Sequence, residues 1–458
     1  MTDTLLSIAR SWYTTERCQN STSELLDWVR ERNETVAVDI RKISLEECSP
    51  WSMYPAEGCI RNENRSFFTI MGCKGPGISQ PIIIQEEIGY LGIICRELDG
   101  VMHFLMQAKI EPGNVNCVQL SPTIQATKSN FTQKHGGNKP PYLDYFLTAS
   151  QYEIVVDQIQ SEQSSRFYRK RNRNIIIRVE EDIPLLPSHK WMTLGQIKRL
   201  MREDNLVNMD TRTVLSCIPY AKLQLPPIEL SALSDGFQDK ALFRSVFIGD
   251  EENKLPQIYQ YINNQKMFTE RTWNLVRLSA LENWTFKGNE LVCTDPYPFK
   301  VVFCDIAIEG REVRRWRQPL FEANGIATFG LICCEDNGLL KFLVRATPEV
   351  GCFDGLELGP SVYQEAEAVT REENVVTRLF WDRLESGTGV RFDHLLSEEG
   401  GRFYHEQNRN VLLRVKREEL PKLPEGYFLL DYRTLNELVQ VNNTLNIQLR
   451  NLLSLLEA

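Results

Sequence analysis

No stretch of about 18 consecutive apolar residues occurs in this 458-residue chain, so no membrane-spanning helix is predicted. The N-terminus MTDTLLSIARSWYTTER has neither a basic start nor a long apolar run, which argues against a secretory signal and for a cytoplasmic protein. Positive charge is in deficit. Lys and Arg number 52 against 61 Asp and Glu, a net charge of −9, and duplex nucleic acid, which needs a broad basic surface, is not an expected partner. Twelve cysteines are present, but none has CxxC or CxxH spacing; neither a zinc site nor a disulfide framework follows, and the thiols read as reduced and mostly buried. Five histidines show no HExxH, and GxGxxG, GxxxxGKS and GxSxG are missing, leaving dinucleotide, P-loop and serine-hydrolase readings without support. IIIQEEIGYL ends like the acidic part of a Nudix box. The Arg-Glu pair that should precede it is absent and Pro81 stands where a helix would be needed, so no metal is expected on those carboxylates.

What is present is a 42% apolar, 25% charged composition, that of a folded soluble protein, at a length that predicts two domains. The chain repeats itself with an offset of 238 residues from Gln80 to Pro122: Gln80-Pro81 matches Gln318-Pro319, Gly100 matches Gly338, Glu111 matches Glu349 and Gly113 matches Gly351. SEQSSRFYRKRNRN (161–174) then answers SEEGGRFYHEQNRN (397–410), and DNLVNMDTRTVLS (204–216) answers NNTLNIQLRNLLS (442–454). So long a period means a duplicated domain, not a solenoid. The expected units are 1–220 and 237–458, joined by a linker at 221–236 near Pro219, Pro226 and Pro227, which interrupt any helix or strand pattern.

Each copy has the same layout. Ser21 and Glu24 have capping-box spacing ahead of Leu25, Trp28 and Val29, so a helix is predicted there. Asp99-Gly100 and Asn337-Gly338 separate apolar runs and predict tight hairpins. SHKWMTLGQIKRLMRE and YRTLNELVQ read as helices, with a second helix after Asn208 and after Asn446. The expected class is α+β, a tandem duplication in which each unit is a mixed or antiparallel sheet flanked by helices.

The copies differ where a site would lie. QATKSNF (125–131) corresponds to YQEAEAV (363–369), Gln119 to Glu357, Asn114 to Cys352 and Lys109 to Thr347. An anion suits the first set and is repelled by the second; the alternative for 112–131 is a solvated loop. Arg166, Arg169, Lys170, Arg171 and Arg173 form a basic run that could hold a diphosphate, or guard a sheet edge. Copy two replaces Arg169, Lys170 and Arg171 with His405, Glu406 and Gln407.

QPIIIQEEIGYLGIICRELDGVMHFLMQAKIEPGNVNCVQLSPTIQATKSNF, SEQSSRFYRKRNRN and DNLVNMDTRTVLSCIP together resemble the NDP-hexose 2,3-dehydratases of deoxysugar biosynthesis, over nearly the whole chain. The resemblance implies tandem Nudix-like domains without hydrolase activity and a homodimer. It also implies action on dTDP-4-keto-6-deoxyglucose, and a 3,4-diketo-2,6-dideoxy product passed to a 3-ketoreductase. YQEAEAV does not match the family's ligand loop, so the second site is expected to be altered or vestigial. A C4 ketone acidifies the C3 hydrogen, and loss of the C2 hydroxyl follows with no metal or redox cofactor. Glu162 and Glu111 are candidate base and acid, each with a twin (Glu398, Glu349) that allows a structural role. Lys109 is the preferred donor to O4 or acid, with His103 as the alternative, both on one strand face. Gln119, Gln125, Thr127, Lys128, Ser129 and Asn130 are candidate sugar and phosphate contacts, with Phe131 and Ser161 beside them. Arg166 and Arg171 are assigned to the diphosphate. Trp51 and Trp284 are candidate stacking platforms or core residues. A non-catalytic nucleotide-sugar binding protein is the alternative function.

Overall fold

The computed structural model describes residues 2–132, 138–270, 272–311, 313–367 and 373–458. It is a mixed helix-and-sheet architecture of two similar halves. In the first half a seven-stranded sheet runs in the order Glu153–Ser161, Arg171–Arg178, Gly89–Leu98, Val101–Ile110, His189–Thr193, with two short strands paired alongside. The second half repeats that order with Val390–Ser397, Gln407–Val415, Thr328–Asp336, Leu339–Thr347 and Tyr427–Asp431. The hairpins form where expected: Asp99 and Gly100 have φ of 50° and 77°, Asn337 and Gly338 52° and 74°, the left-handed values that a tight hairpin turn demands.

Local chemistry sets the helices. Ser21 and Glu24 complete a reciprocal capping box on Thr22–Thr35, and Asn208 and Asn446 cap Met209–Ser216 and Ile447–Ser454 by accepting from Thr211 N and Leu449 N at 2.9 and 3.0 Å. Two expectations change. His189–Thr193 is a strand on the edge of Val101–Ile110, and the helix begins only at Leu194, where Thr193 and Gln196 form a capping box. Pro227 does not break a helix but starts one, Pro227–Asp235, because the first helical position has no N–H to lose.

Each half also has a six-stranded sheet, and these two exchange strands. Val38–Ile43 pairs antiparallel with Phe299–Ile308, in the register Val38 to Ile308, whereas Asn274–Val276 pairs with Thr69–Gly75, Asn274 facing Lys74. The largest core crosses the halves too, joining Trp12, Phe104 and Val214 to Phe342, Leu435 and Leu452. No helix among the described residues is long and apolar enough to cross a membrane.

The halves interlock through two glycines. Gly113 N donates to Gly400 O at 2.7 Å and Gly113 O accepts from His405 N at 2.8 Å; Gly351 repeats this with Ser164 O and Arg169 N. A Cβ on Gly113 would lie 1.5 Å from Phe403 O. Gly113→Ala is therefore expected to force the 399–405 loop away and destabilise the protein by about 1–3 kcal/mol, measured as a lowered denaturant midpoint with activity lost in parallel.

Candidate active site

The interlock encloses a cavity of ≈ 360 Å³. Its floor comes from the first half, where Val101–Ile110, Ile124–Ala126 and Arg171–Arg178 each pair with Gly89–Leu98 in one sheet. Its roof comes from the second half, through Arg311, Trp316, Gln318, Glu399 and Arg402.

Two carboxylates there are set up in opposite ways. Burial would raise the Glu111 carboxyl, but Arg311 and Lys109 outweigh it and hold Glu111 down at about 2; Arg311 Nη1 and Lys109 Nζ lie 3.1 and 2.9 Å from its Oε1. Glu162 is pushed up to about 7, chiefly by burial, with Lys170 opposing the rise. Asn172 Nδ2 donates to its Oε1 at 2.5 Å, and Oε2 has no hydrogen-bond partner among the described residues. Lys170, buried on the same hairpin, is lowered to about 8 by burial despite Glu162 and Glu87; its ammonium donates to Glu87 O. Asp210, also lining the cavity, is raised well above the usual carboxylate range by burial and by Glu162 and Glu399.

Of the residues singled out in the sequence, Trp51, Lys109, Glu111, Gln125, Thr127 and Glu162 line this cavity. Ser129 stands just behind it, its N and Oγ donating to Glu87 at 3.1 Å each, and Phe131 packs edge-on to the lining Tyr90 at 5.4 Å. The Asn130 side chain lies outside the described residues.

The others lie elsewhere. His103 shares a strand face with Lys109, but six residues at about 3.3 Å each put it some 20 Å away, where its ring meets Gln19 N and Val101 O. Gln119 and Ser161 are spent on the contact between halves: Gln119 donates to Ser397 Oγ at 2.6 Å and Ser161 to Glu357 Oε2 at 2.7 Å. Trp284 is core, donating to Ser79 O at 2.9 Å and packing on Tyr297. Lys128 is exposed. Arg171 lies over the Phe353 ring at 4.0 Å. Arg166 points into the second half, where it pairs with Glu365 at 3.2 Å.

Reasoning from sequence missed Asn172, Asp210, Arg311, Glu399 and Arg402 as lining residues, and placed Lys170 only in the basic run for a diphosphate. Lys170 and Asp210 had a signal, since their twins are Glu406 and Gln448. Arg402 had none, being an arginine in both copies.

A family model described as NDP-hexose 2,3-dehydratase matches residues 22–218 and again 255–456. Three relatives, each named dTDP-4-dehydro-6-deoxy-alpha-D-glucopyranose 2,3-dehydratase, match most of the chain. The one from Saccharopolyspora spinosa is 37% identical over 446 residues, covering 95% of this chain and 91% of the relative. That from Amycolatopsis orientalis is 32% identical, covering 98% and 93%; that from Streptomyces violaceoruber is 34% identical, covering 93% and 95%.

Proposed function

The chain belongs to the NDP-hexose 2,3-dehydratase family, and on that footing we propose that the cavity between its halves is where the reaction occurs. The activity is 2,3-dehydration of dTDP-4-keto-6-deoxyglucose in deoxysugar biosynthesis. The observation that carries the placement is Glu162, a cavity-lining carboxyl poised near neutrality, with one buried oxygen that has no hydrogen-bond partner among the described residues and two buried lysines in the same lining.

Glu162 takes the C3 proton, and the electron pair moves into the C3–C4 bond and onto O4. Lys109 stabilises that oxygen. Two of its three ammonium hydrogens go to Gln125 O at 2.8 Å and Glu111 at 2.9 Å, which leaves the third for the sugar. The pair then returns to re-form the ketone, the C2–C3 double bond forms, and the C2 hydroxyl leaves as water with a proton from Lys170. The resulting C3 enol gives up its hydroxyl proton and gains one at C2, yielding the 3,4-diketone. No electrons are gained or lost overall. Glu111, ionised throughout the neutral range, orients Lys109 and Arg311 and is not the acid.

Incubation with dTDP-4-keto-6-deoxyglucose in heavy water tests this reading: loss of the C2 hydroxyl with deuterium at C2 is expected, the diketone being trapped by a 3-ketoreductase. Binding without turnover would return the non-catalytic alternative. We further propose, from the family resemblance, that each half is Nudix-related, that the chain acts as a homodimer, and that a 3-ketoreductase consumes the reactive diketone.

A further inference from the structure

Arg166 and Arg402 hold equivalent places in the two RFY segments, and each crosses into the opposite half. Both guanidinium groups rest on a phenylalanine ring at the same height, Arg166 4.5 Å from Phe299 and Arg402 4.5 Å from Phe68. Their partners differ. Arg166 forks onto Glu365 through two contacts of 3.2 Å, with Glu406 at 3.7 Å and Tyr363 donating to the same Glu365 at 2.6 Å. Arg402 meets Gln85 Oε1 at 3.3 Å and Gly401 O at 2.8 Å, and makes no ion pair among the described residues. The twins of Glu365 and Glu406 are Thr127 and Lys170. Replacing two carboxylates by a hydroxyl and a cation leaves the same arginine shelf without a carboxylate in ion-pair contact, and the ≈ 360 Å³ cavity opens beside it. Glu399, Glu87 and Glu111 face Arg402 at longer range together with Arg311, whose own charge is turned to Glu111.

We propose that Arg402 anchors the diphosphate of the nucleotide sugar, and that Glu365 is a built-in carboxylate occupying the corresponding place in the second half, so that each chain holds one nucleotide-sugar site. A guanidinium fork that accepts a carboxylate bidentately accepts two phosphoryl oxygens in the same way. The proposal rests on the nucleotide-sugar reading above and adds which residue grips the phosphates.

Calorimetric titration of the full chain with dTDP, alongside thermal melts, tests it. The wild type should bind one dTDP per chain. Arg402→Gln should weaken binding about 10- to 100-fold, and Thr127→Glu should do the same by seating a carboxylate on Arg402. Two sites per chain, or either folded variant keeping wild-type affinity, would overturn the proposal; if Arg402→Gln does not fold, Thr127→Glu decides alone. Arg402→Gln with intact dTDP affinity but a fallen kcat sinks the anchor and spares the dehydratase. Normal dTDP binding without turnover by the wild type does the reverse.

Discussion

Glu162→Gln is expected to lower kcat by about 10²- to 10⁴-fold while dTDP affinity, measured by titration, stays within a few-fold. The amide keeps the shape and the bond from Asn172 but cannot accept the C3 proton. The wild-type pH profile carries the same information. Glu162 works ionised, so activity should rise as pH climbs through about 7; Lys170 works protonated, so activity should fall as pH passes about 8. The two limbs give a narrow bell. Lys170→Met should remove the alkaline limb. It should also move the acid limb to higher pH, because the Lys170 charge is what opposes the burial of Glu162. An acid limb that stayed in place, or a Glu162→Gln protein with near-normal kcat, would take proton abstraction away from this carboxyl.

Much of the frame was legible because its determinants are local. Asp99-Gly100 and Asn337-Gly338 fix their turns by φ alone, and Ser21, Asn208 and Asn446 cap helices through bonds spanning three residues. The edge strand His189–Thr193 was hidden because its apolar residues run straight into the helix that Thr193 caps. The site divides along the same line. Lys109, Gln125 and Thr127 stand out because only one copy has them, and all three line the cavity. The strand exchange and the roof involve pairs 200 or more residues apart, such as Arg311 with Glu111, which no periodicity reports. Arg166 was assigned to the diphosphate from its neighbours in sequence, but the hairpin tip carries it across into the other half. Its twin Arg402 arrives in the first cavity by the same crossing.

Arg450→Met should produce the largest loss of stability of any substitution considered. The side chain is fully buried, its Nε donating to Thr213 Oγ1 at 2.9 Å and its Nη atoms to Leu445 O and Ser161 O at 2.5 Å each. Removing it leaves a hydroxyl and two carbonyls unsatisfied inside the seam between halves, a cost of about 3–5 kcal/mol, read as a lowered urea midpoint. Arg212→Met is the mirror change, breaking a bond to Ser397 O of 2.5 Å, and should cost a similar amount. The two variants part company in the pH profile. Arg450 helps to hold Glu162 down, so its loss should push the acid limb of activity upward, whereas Arg212 is turned toward Glu398 and Asp210 and should leave that limb where it is. Equal shifts from both would mean that the limb reports general loosening of the seam and not the charge beside Glu162.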